Sequence, residues 1–441
     1  MSKRLILILA LAFVVGITFT AYAEVQNVKV SGDLAVQGFA RNNFKLGTGA
    51  AGDKNDDDES NVISQVRVRI DADLTDNVMT TVRLINERAW DTESTTNTDI
   101  DLDLAYVTLK EFLYSPLSVT LGRQEIRFGN GLIIGNARNW ATNVLSGVPS
   151  DLTERKAFDA VRATLDYDPL VVDLIAAQIN KVSAVDNRDT DLLGVNAHYA
   201  IDKTTSAEAY FFNKQDRDKN GKNNKTDQIF IIGGLVSAEP IANLKSSLEG
   251  ALQFGKYNAA NQVMVDRRAF AVQAKADYAV PFEKTKKWFP NVGLMYTFLS
   301  GDKDNETQHT WDTMYYDQAL NSVTYAIIPF QNLQVVNLIG SLKPMDDLTL
   351  KLNYGYYQRA QQNNVVTMAA PYVDSDGNSY GTYTMTDNKA LGNALDLIAT
   401  YDYTEDVQIG LTLGYFKPGD AFDYTNRRTA TQLLGKMKVT F

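Results

Sequence analysis

From position 65 to 74 the chain reads Gln-Val-Arg-Val-Arg-Ile-Asp-Ala-Asp-Leu, apolar at every even position and polar or charged at every odd one. Side chains of an extended strand alternate between its faces, so a period of two describes a ribbon with one apolar and one polar face; the 3.6-residue helical period does not fit. The alternation returns at 100–104, 270–278, 348–354 and 407–413. Eighteen strands are expected, near 26–42, 61–74, 77–89, 99–110, 116–124, 157–167, 170–180, 190–201, 204–213, 227–238, 243–256, 267–280, 291–299, 331–343, 347–359, 391–403, 406–416 and 428–441.

The connections sort by length. Short turns follow the even-numbered strands, as at Thr75-Asp76, Asp168-Pro169, Asp202-Lys203, Glu239-Pro240, Glu283-Lys284, Met345-Asp346 and Thr404-Glu405. Long polar segments follow several odd-numbered ones, at 47–60, 215–225, 301–321 and 360–389. Short turns on one side and long loops on the other define an up-and-down barrel crossing a membrane, with both termini on the short-turn side. A soluble sandwich or β-helix has no reason to sort its loops this way. In hydrocarbon an open sheet edge cannot be satisfied by water, so the sheet must close. The expected fold is therefore an all-β transmembrane antiparallel β-barrel of about eighteen strands, too wide for wall side chains to fill and so enclosing an aqueous channel. Tyr296, Phe298, Tyr354, Tyr356, Tyr401, Tyr403, Tyr415 and Phe441 fall on the outward parity and are expected in aromatic girdles at the interfaces.

Composition narrows the function. The chain has no cysteine and only two histidines, His198 and His309, which removes disulfides, thiolate metal sites and a three-histidine zinc centre. A net charge of -10 argues against a nucleic-acid partner. Lys3 and Arg4 precede an apolar run from 5 to 17, and Ala21-Tyr22-Ala23 offers small residues where a signal peptidase reads, so cleavage after Ala23 is expected. The run is shorter than the roughly 20 apolar residues of a spanning helix. Residues 1–23 are thus read as a signal peptide and 24–441 as an outer-membrane barrel domain. The last strand alternates Leu433, Gly435, Met437, Val439 and Phe441 with polar positions and ends on an aromatic residue. It resembles the terminal strand of outer-membrane proteins, which implies the barrel assembly machinery as a partner through Phe441, with outer-membrane lipid around the wall.

The polar parity places twelve cationic and thirteen acidic side chains toward the lumen. At mid-depth Arg67, Arg69, Arg83 and Arg162 lie on nearby strands and are expected to form a cationic wall able to grip carboxylate or phosphate; Lys275 and Arg359 also face inward. The competing expectation is that these arginines pair with Glu87, Glu249 and Asp396 and only hold the lumen in shape.

The stretch 121–140, Leu-Gly-Arg-Gln-Glu-Ile-Arg-Phe-Gly-Asn-Gly-Leu-Ile-Ile-Gly-Asn-Ala-Arg-Asn-Trp, resembles the signature of the alginate export family of outer-membrane porins. So does 155–162, Arg-Lys-Ala-Phe-Asp-Ala-Val-Arg. The resemblance implies passive export of an anionic polysaccharide through an arginine-lined constriction, with Arg123 and Arg162 at matching positions. Arg123 shares parity with lipid-facing Val119 and Leu121, so it reaches the lumen only if the backbone bulges near Gly122. The glycine-rich segment after it, with Gly129, Gly131, Gly135, Asn136 and Trp140, is expected to fold inward as a constriction loop. Read alone, its spaced glycines suggest a nucleotide loop, but no βαβ unit surrounds them.

No cofactor is expected beyond a possible calcium ion: Asp216, Asp218 and Asn220, with Gly221 sixth and Asp227 twelfth, match the oxygen spacing of a calcium loop, although Lys219, Lys222 and Lys225 oppose it. The chain is thus read as a porin passing alginate-like polysaccharide or small anionic solutes by diffusion. A general or differently selective diffusion porin is the second reading. An adhesin, or an enzyme working through His198, stands further off.

Overall fold

A computed structural model describes residues 27–47, 58–90, 100–137, 147–181, 189–217, 226–258, 263–281, 288–303, 307–362 and 367–441. The first thirteen strands are β1 (Asn27–Asn42), β2 (Glu59–Thr75), β3 (Val78–Ala89), β4 (Asp101–Leu109), β5 (Leu117–Gln124), β6 (Phe158–Asp166), β7 (Leu170–Lys181), β8 (Asp189–Ala200), β9 (Ser206–Arg217), β10 (Thr226–Ile241), β11 (Leu244–Asn258), β12 (Met264–Ala279) and β13 (Asn291–Leu299). After a six-residue helix α1 (Ser322–Ile327) come β14 (Leu333–Met345), β15 (Leu348–Arg359), the short pair β16 (Thr367–Ala369) and β17 (Thr382–Thr384), then β18 (Ala390–Asp402), β19 (Val407–Pro418) and β20 (Ala430–Thr440).

Eighteen of these form one sheet of antiparallel neighbours. Each follows its predecessor around the ring, and β20 returns to β1 in continuous register from Asp33↔Thr440 to Asn42↔Thr431. All eighteen expected segments are therefore strands of one closed barrel, and β16 pairs only with β17.

Closure is finished by Phe441. Its backbone N–H donates to the Gly32 carbonyl at 3.0 Å and its carbonyl accepts from the Gly32 N–H at 2.8 Å. A Cβ on Gly32 would lie 2.3 Å from the Arg67 carbonyl oxygen and 2.8 Å from the Phe441 ring, so only glycine lets the terminal aromatic seal the seam.

The two faces divide as the alternation dictates. Leu174, Leu193, Ile232, Leu248, Leu338, Leu397 and Leu411 are exposed on the outside, where hydrocarbon replaces water. Seven of the eight expected girdle aromatics are exposed there too, and Phe298 stacks on exposed Phe270 at 5.2 Å. Tyr354 donates its hydroxyl to Asn393 at 2.6 Å, satisfying its polar tip on the outer face.

The lumen holds more inward chain than the one glycine-rich loop expected there. The described parts of segments 301–321 and 360–389, expected as polar loops, fold largely back into the barrel. Trp311, Met314, Tyr315, Val323 and Ile327 are fully or almost fully buried against Phe212, Ile229, Leu299, Tyr357 and Phe416 of the wall. A solvated loop does not carry such a density of large apolar side chains; burying them drives the segment inward. A polar network then fixes α1 to the wall: Asp396 accepts from the Ser322 N–H at 3.0 Å, the Ser322 hydroxyl at 2.6 Å and the Asn321 amide at 2.9 Å. Tyr357 donates to Asn321 Oδ1 at 2.9 Å and accepts from Thr324 at 2.8 Å.

The seam yields a direct test. Gly32→Val is expected to destabilise the barrel by about 1–3 kcal/mol, the usual cost of overpacking. The temperature at which the folded band converts to the unfolded one on a gel should fall. Gly435→Ala in β20, where a Cβ meets nothing within 4 Å, should leave it unchanged.

Candidate functional site: the charged lumen

The glycine-rich segment after β5 lies inside the barrel. Leu132, Ile133 and Ile134 are at most 2% exposed. Ile134 forms a parallel bridge with Tyr315, and the Asp317 N–H donates to the Gly131 carbonyl at 2.8 Å, so two inward segments pair with each other as well as with the wall. The glycine spacing has a local cause. Gly131, at φ +74°, lies under the Arg127 guanidinium, and a Cβ there would sit 2.7 Å from it; a Cβ on Gly135 would meet Asp317 at 2.5 Å. Gly129, at φ +52°, faces Glu249 and Leu235. Asn136 is buried and its N–H donates to the Tyr315 carbonyl at 2.9 Å. Trp140 lies outside the described residues.

A second strap, 147–157, crosses to the wall on ion pairs. Asp151 meets Arg41 at 2.6 Å, Arg155 donates to Glu87 at 2.9 Å, and Lys436 donates to Glu154 at 2.7 Å. Burial by itself would raise the Glu154 carboxyl. Lys436, Arg67 and Lys156 outweigh that and hold it below the usual carboxylate range. Because its folded pKa is lowered, Glu154 stabilises the strap above the unfolded carboxylate pKa and loses that contribution as pH falls through the lowered value.

Arg67, Arg69, Arg83 and Arg162 all face the lumen, and each is paired. Arg67 bonds Asp33 at 2.6 Å with Glu154 at 3.7 Å, Arg69 bonds Asp71 at 2.8 Å, and Arg162 bonds Asp173 at 2.8 Å beside the Phe128 ring. Arg83 bonds Asp103 at 2.6 Å and also Glu125. The partners differ from Glu87, Glu249 and Asp396, which hold Arg155, Tyr210 and the start of α1 respectively.

Formal neutrality conceals a polarity. In several pairs the cation stands further into the water than its carboxylate: Arg162 is 30% exposed against 6% for Asp173, Arg127 47% against 17% for Asp317, Lys438 35% against 15% for Asp33. Lys156 shares Asp317 with Arg127, at 2.8 Å. Glu125 beside Arg83, Glu154 and Asp33 beside Arg67, Asp101 beside Arg155, and Glu59 and Asp151 beside Arg41 run the other way. Beside Arg69, Arg127, Lys156, Arg162, Lys436 and Lys438 a solute therefore meets the cation ahead of the carboxylate it bonds. Arg127 and Lys156 were not singled out from sequence; the available signals were the place of Arg127 beside the glycines of an inward segment and of Lys156 in the stretch 155–162.

Arg123 corrects an expectation. The ladder through β4, β5 and β6 runs without a shift across Gly122, so Arg123 keeps the outward parity of Val119 and Leu121 and never turns to the lumen. It sits opposite Asp159, bonds it at 3.1 Å and donates to the Asp103 carbonyl at 3.1 Å. Gln124, on the inward face, donates to the Ala160 carbonyl at 3.0 Å, and Phe158 is buried in the interior. The two signature stretches thus lock β5 to β6.

Lys275 is half-buried on β12 near a cavity on the short-turn side. Arg359 is buried at the top of β15, donating to the Asn388 carbonyl at 3.1 Å. Asp216 and Asp227 face each other across β9 and β10, with Asp227 3.9 Å from Arg267; Asp218 and Asn220 lie outside the described residues. Among the described residues no group of three or more acidic or histidine side chains is placed to hold a metal. His198 lies on the inward face of β8, 3.9 Å from Glu208.

A closed eighteen-stranded barrel with a lipid-facing exterior and a charged, strapped lumen is an outer-membrane channel for small solutes, a transport protein by construction. The chain belongs to the alginate export family, whose model matches residues 27–436. No curated protein sequence matches it. Solved structures resemble it across nearly their whole length. OccK11 (OpdR) of Pseudomonas aeruginosa is 12% identical over 95% of this chain and 96% of that one, with a TM-score of 0.59. OccK3 (OpdO) of the same organism is 12% identical over 95% and 97%, at 0.57, and OccK2 (OpdF) in complex with glucuronate is 11% identical over 95% and 99%, at 0.56. At these identities the likeness is one of fold.

The placement of Arg123 makes a clear prediction. Arg123→Ala should cost about 1 kcal/mol or less in stability, as for a partly exposed ion pair, and leave the ion selectivity in a bilayer unchanged. Arg162→Ala should shift the reversal potential toward cations.

Proposed function

We propose that this protein passes anionic solutes, sugar acids and acidic oligosaccharides among them, across the outer membrane by diffusion. The single observation that carries the reading is the polarity of the ion pairs, in which Arg69, Arg127, Lys156, Arg162, Lys436 and Lys438 are each more exposed than the carboxylate they bond. An anion gains attraction from such a surface without facing the desolvation cost of an isolated buried charge, and planar guanidinium groups suit carboxylates. The inward segments narrow the route and serve as its constriction. In this reading residues 1–23 are removed on export and the terminal strand ending at Phe441 is what the assembly machinery takes up.

A general diffusion porin is the second reading, favoured by the near balance of lumenal charge. Single-channel recording of the refolded protein under a salt gradient separates the two. A reversal potential favouring anions, with conductance blocked by added oligouronates, is expected. Asp317→Asn, which leaves Arg127 and Lys156 without their shared carboxylate, should move the reversal potential further toward anions. A cation-selective or unblocked channel would retain the porin and discard anionic cargo.

A further inference from the structure

We infer that the outer face of β9–β13 carries a docking site for a phosphorylated glycolipid with several acyl chains, in the leaflet on the long-loop side. Five phenylalanines, one on each of these consecutive strands, occupy that face: Phe211, Phe230, Phe254, Phe270 and Phe298. Phe211 stacks on Phe230 at 6.0 Å, Phe230 on Phe254 at 5.4 Å and Phe270 on Phe298 at 5.2 Å. Phe211, Phe254 and Phe270 are exposed, and the other two are half-buried. On every one of the five strands the position two residues nearer the long loops is polar, at Asn213, Gln228, Lys256, Arg268 and Ser300. The rings thus mark the upper boundary of an apolar surface that Ile232, Leu248, Leu252 and Leu294 continue toward the short turns.

The chemistry of this boundary differs from that of β15. There the hydroxyls of Tyr354 and Tyr356 are engaged, with Asn393 at 2.6 Å and with Gln358 at 2.8 Å. Phenylalanine has no polar tip, so the rings of β9–β13 gain only from apolar contact, and their mutual stacking holds them as one surface. Neighbouring strands stand about 4.8 Å apart, so five of them span roughly 19 Å. A face of that breadth exceeds what the two chains of a phospholipid cover and suits a lipid with more.

Charge selects the headgroup. Arg268 is exposed, lies directly opposite Phe254 in the ladder and stands two residues above Phe270. Among the described residues no ion pair or hydrogen bond engages its guanidinium. Asp266, the acid on the same face of β12, is taken by Lys256 directly across from it. The Arg268 guanidinium is left to the lipid side at the edge of the apolar band, where an anionic headgroup attracts it and a phosphate accepts two of its planar N–H donors.

The test is native mass spectrometry of the full refolded chain in detergent, titrated with bisphosphorylated lipid A, with its dephosphorylated form and with phosphatidylglycerol. Bisphosphorylated lipid A is expected to be retained at least tenfold more tightly than either comparison lipid. Arg268→Gln should weaken it by about three- to tenfold. Phe230→Leu combined with Phe254→Leu, which keeps the face apolar and removes the stacked rings, should weaken it by about threefold or more. Lys417→Gln removes an exposed cation two residues above Tyr415 on β19 and should leave retention unchanged. Heat-dependent gel mobility reports that each variant is folded. Equal retention of either comparison lipid, unaltered affinity in folded Arg268→Gln, or an equal loss in Lys417→Gln would overturn the site. A second copy of the chain held through this face in place of lipid, seen as a dimer that the paired phenylalanine substitutions dissociate, would overturn it as well.

Discussion

Everything in this molecule follows from the need to satisfy backbone hydrogen bonds in hydrocarbon. A sheet edge exposed to lipid has no water to pair with, so β20 must meet β1, and the register from Asp33 to Asn42 closes the ring. Closure forces the two faces apart chemically: outward positions must be apolar, and inward positions are released from that demand. It also forces width, and a ring of eighteen strands encloses more space than its own inward side chains occupy.

How that space is used distinguishes this chain. Inward segments fill much of it with a hydrophobic interior of their own, built on Trp311, Tyr315, Val323 and Ile327 and tied to the wall through Asp396, Asn321 and Tyr357. Burial of charge in such a setting is tolerable only in pairs, because an uncompensated ion in a low dielectric is costly. The lumenal arginines are accordingly bonded to carboxylates on their own strand, as for Arg69, or on a neighbouring strand or strap. Where Arg69, Arg127, Lys156, Arg162, Lys436 and Lys438 are more exposed than the carboxylates they bond, a neutral set of charges still presents cations to whatever passes.

The strands were legible because a period of two is imposed by strand geometry itself, and the lipid face enforces it at all eighteen. The inward folding of 301–321 and 360–389 was not read, because polar residues at 301–310 and 361–364 mask the aromatic run from Trp311 to Tyr316. A signal was present in the wall. Tyr210-Phe211-Phe212 and Ile229-Phe230-Ile231-Ile232 are apolar on both faces, which a water-filled interior would not accept. Arg123 was decided by parity: the ladder kept its register, so the local alternation was the better guide than the family position. The partners of Arg67, Arg83 and Arg162 were beyond reach from sequence, since they depend on register between strands and on straps whose path no local pattern encodes.

Liposome swelling tests the central claim most directly, namely that solutes meet cations first inside the lumen. Vesicles holding the refolded protein, challenged with isotonic glucuronate, glucose and glucosamine, compare three solutes of one size and three charges. Swelling fastest with glucuronate and slowest with glucosamine is the result this account predicts. Equal rates for all three, or the reverse order, would contradict it.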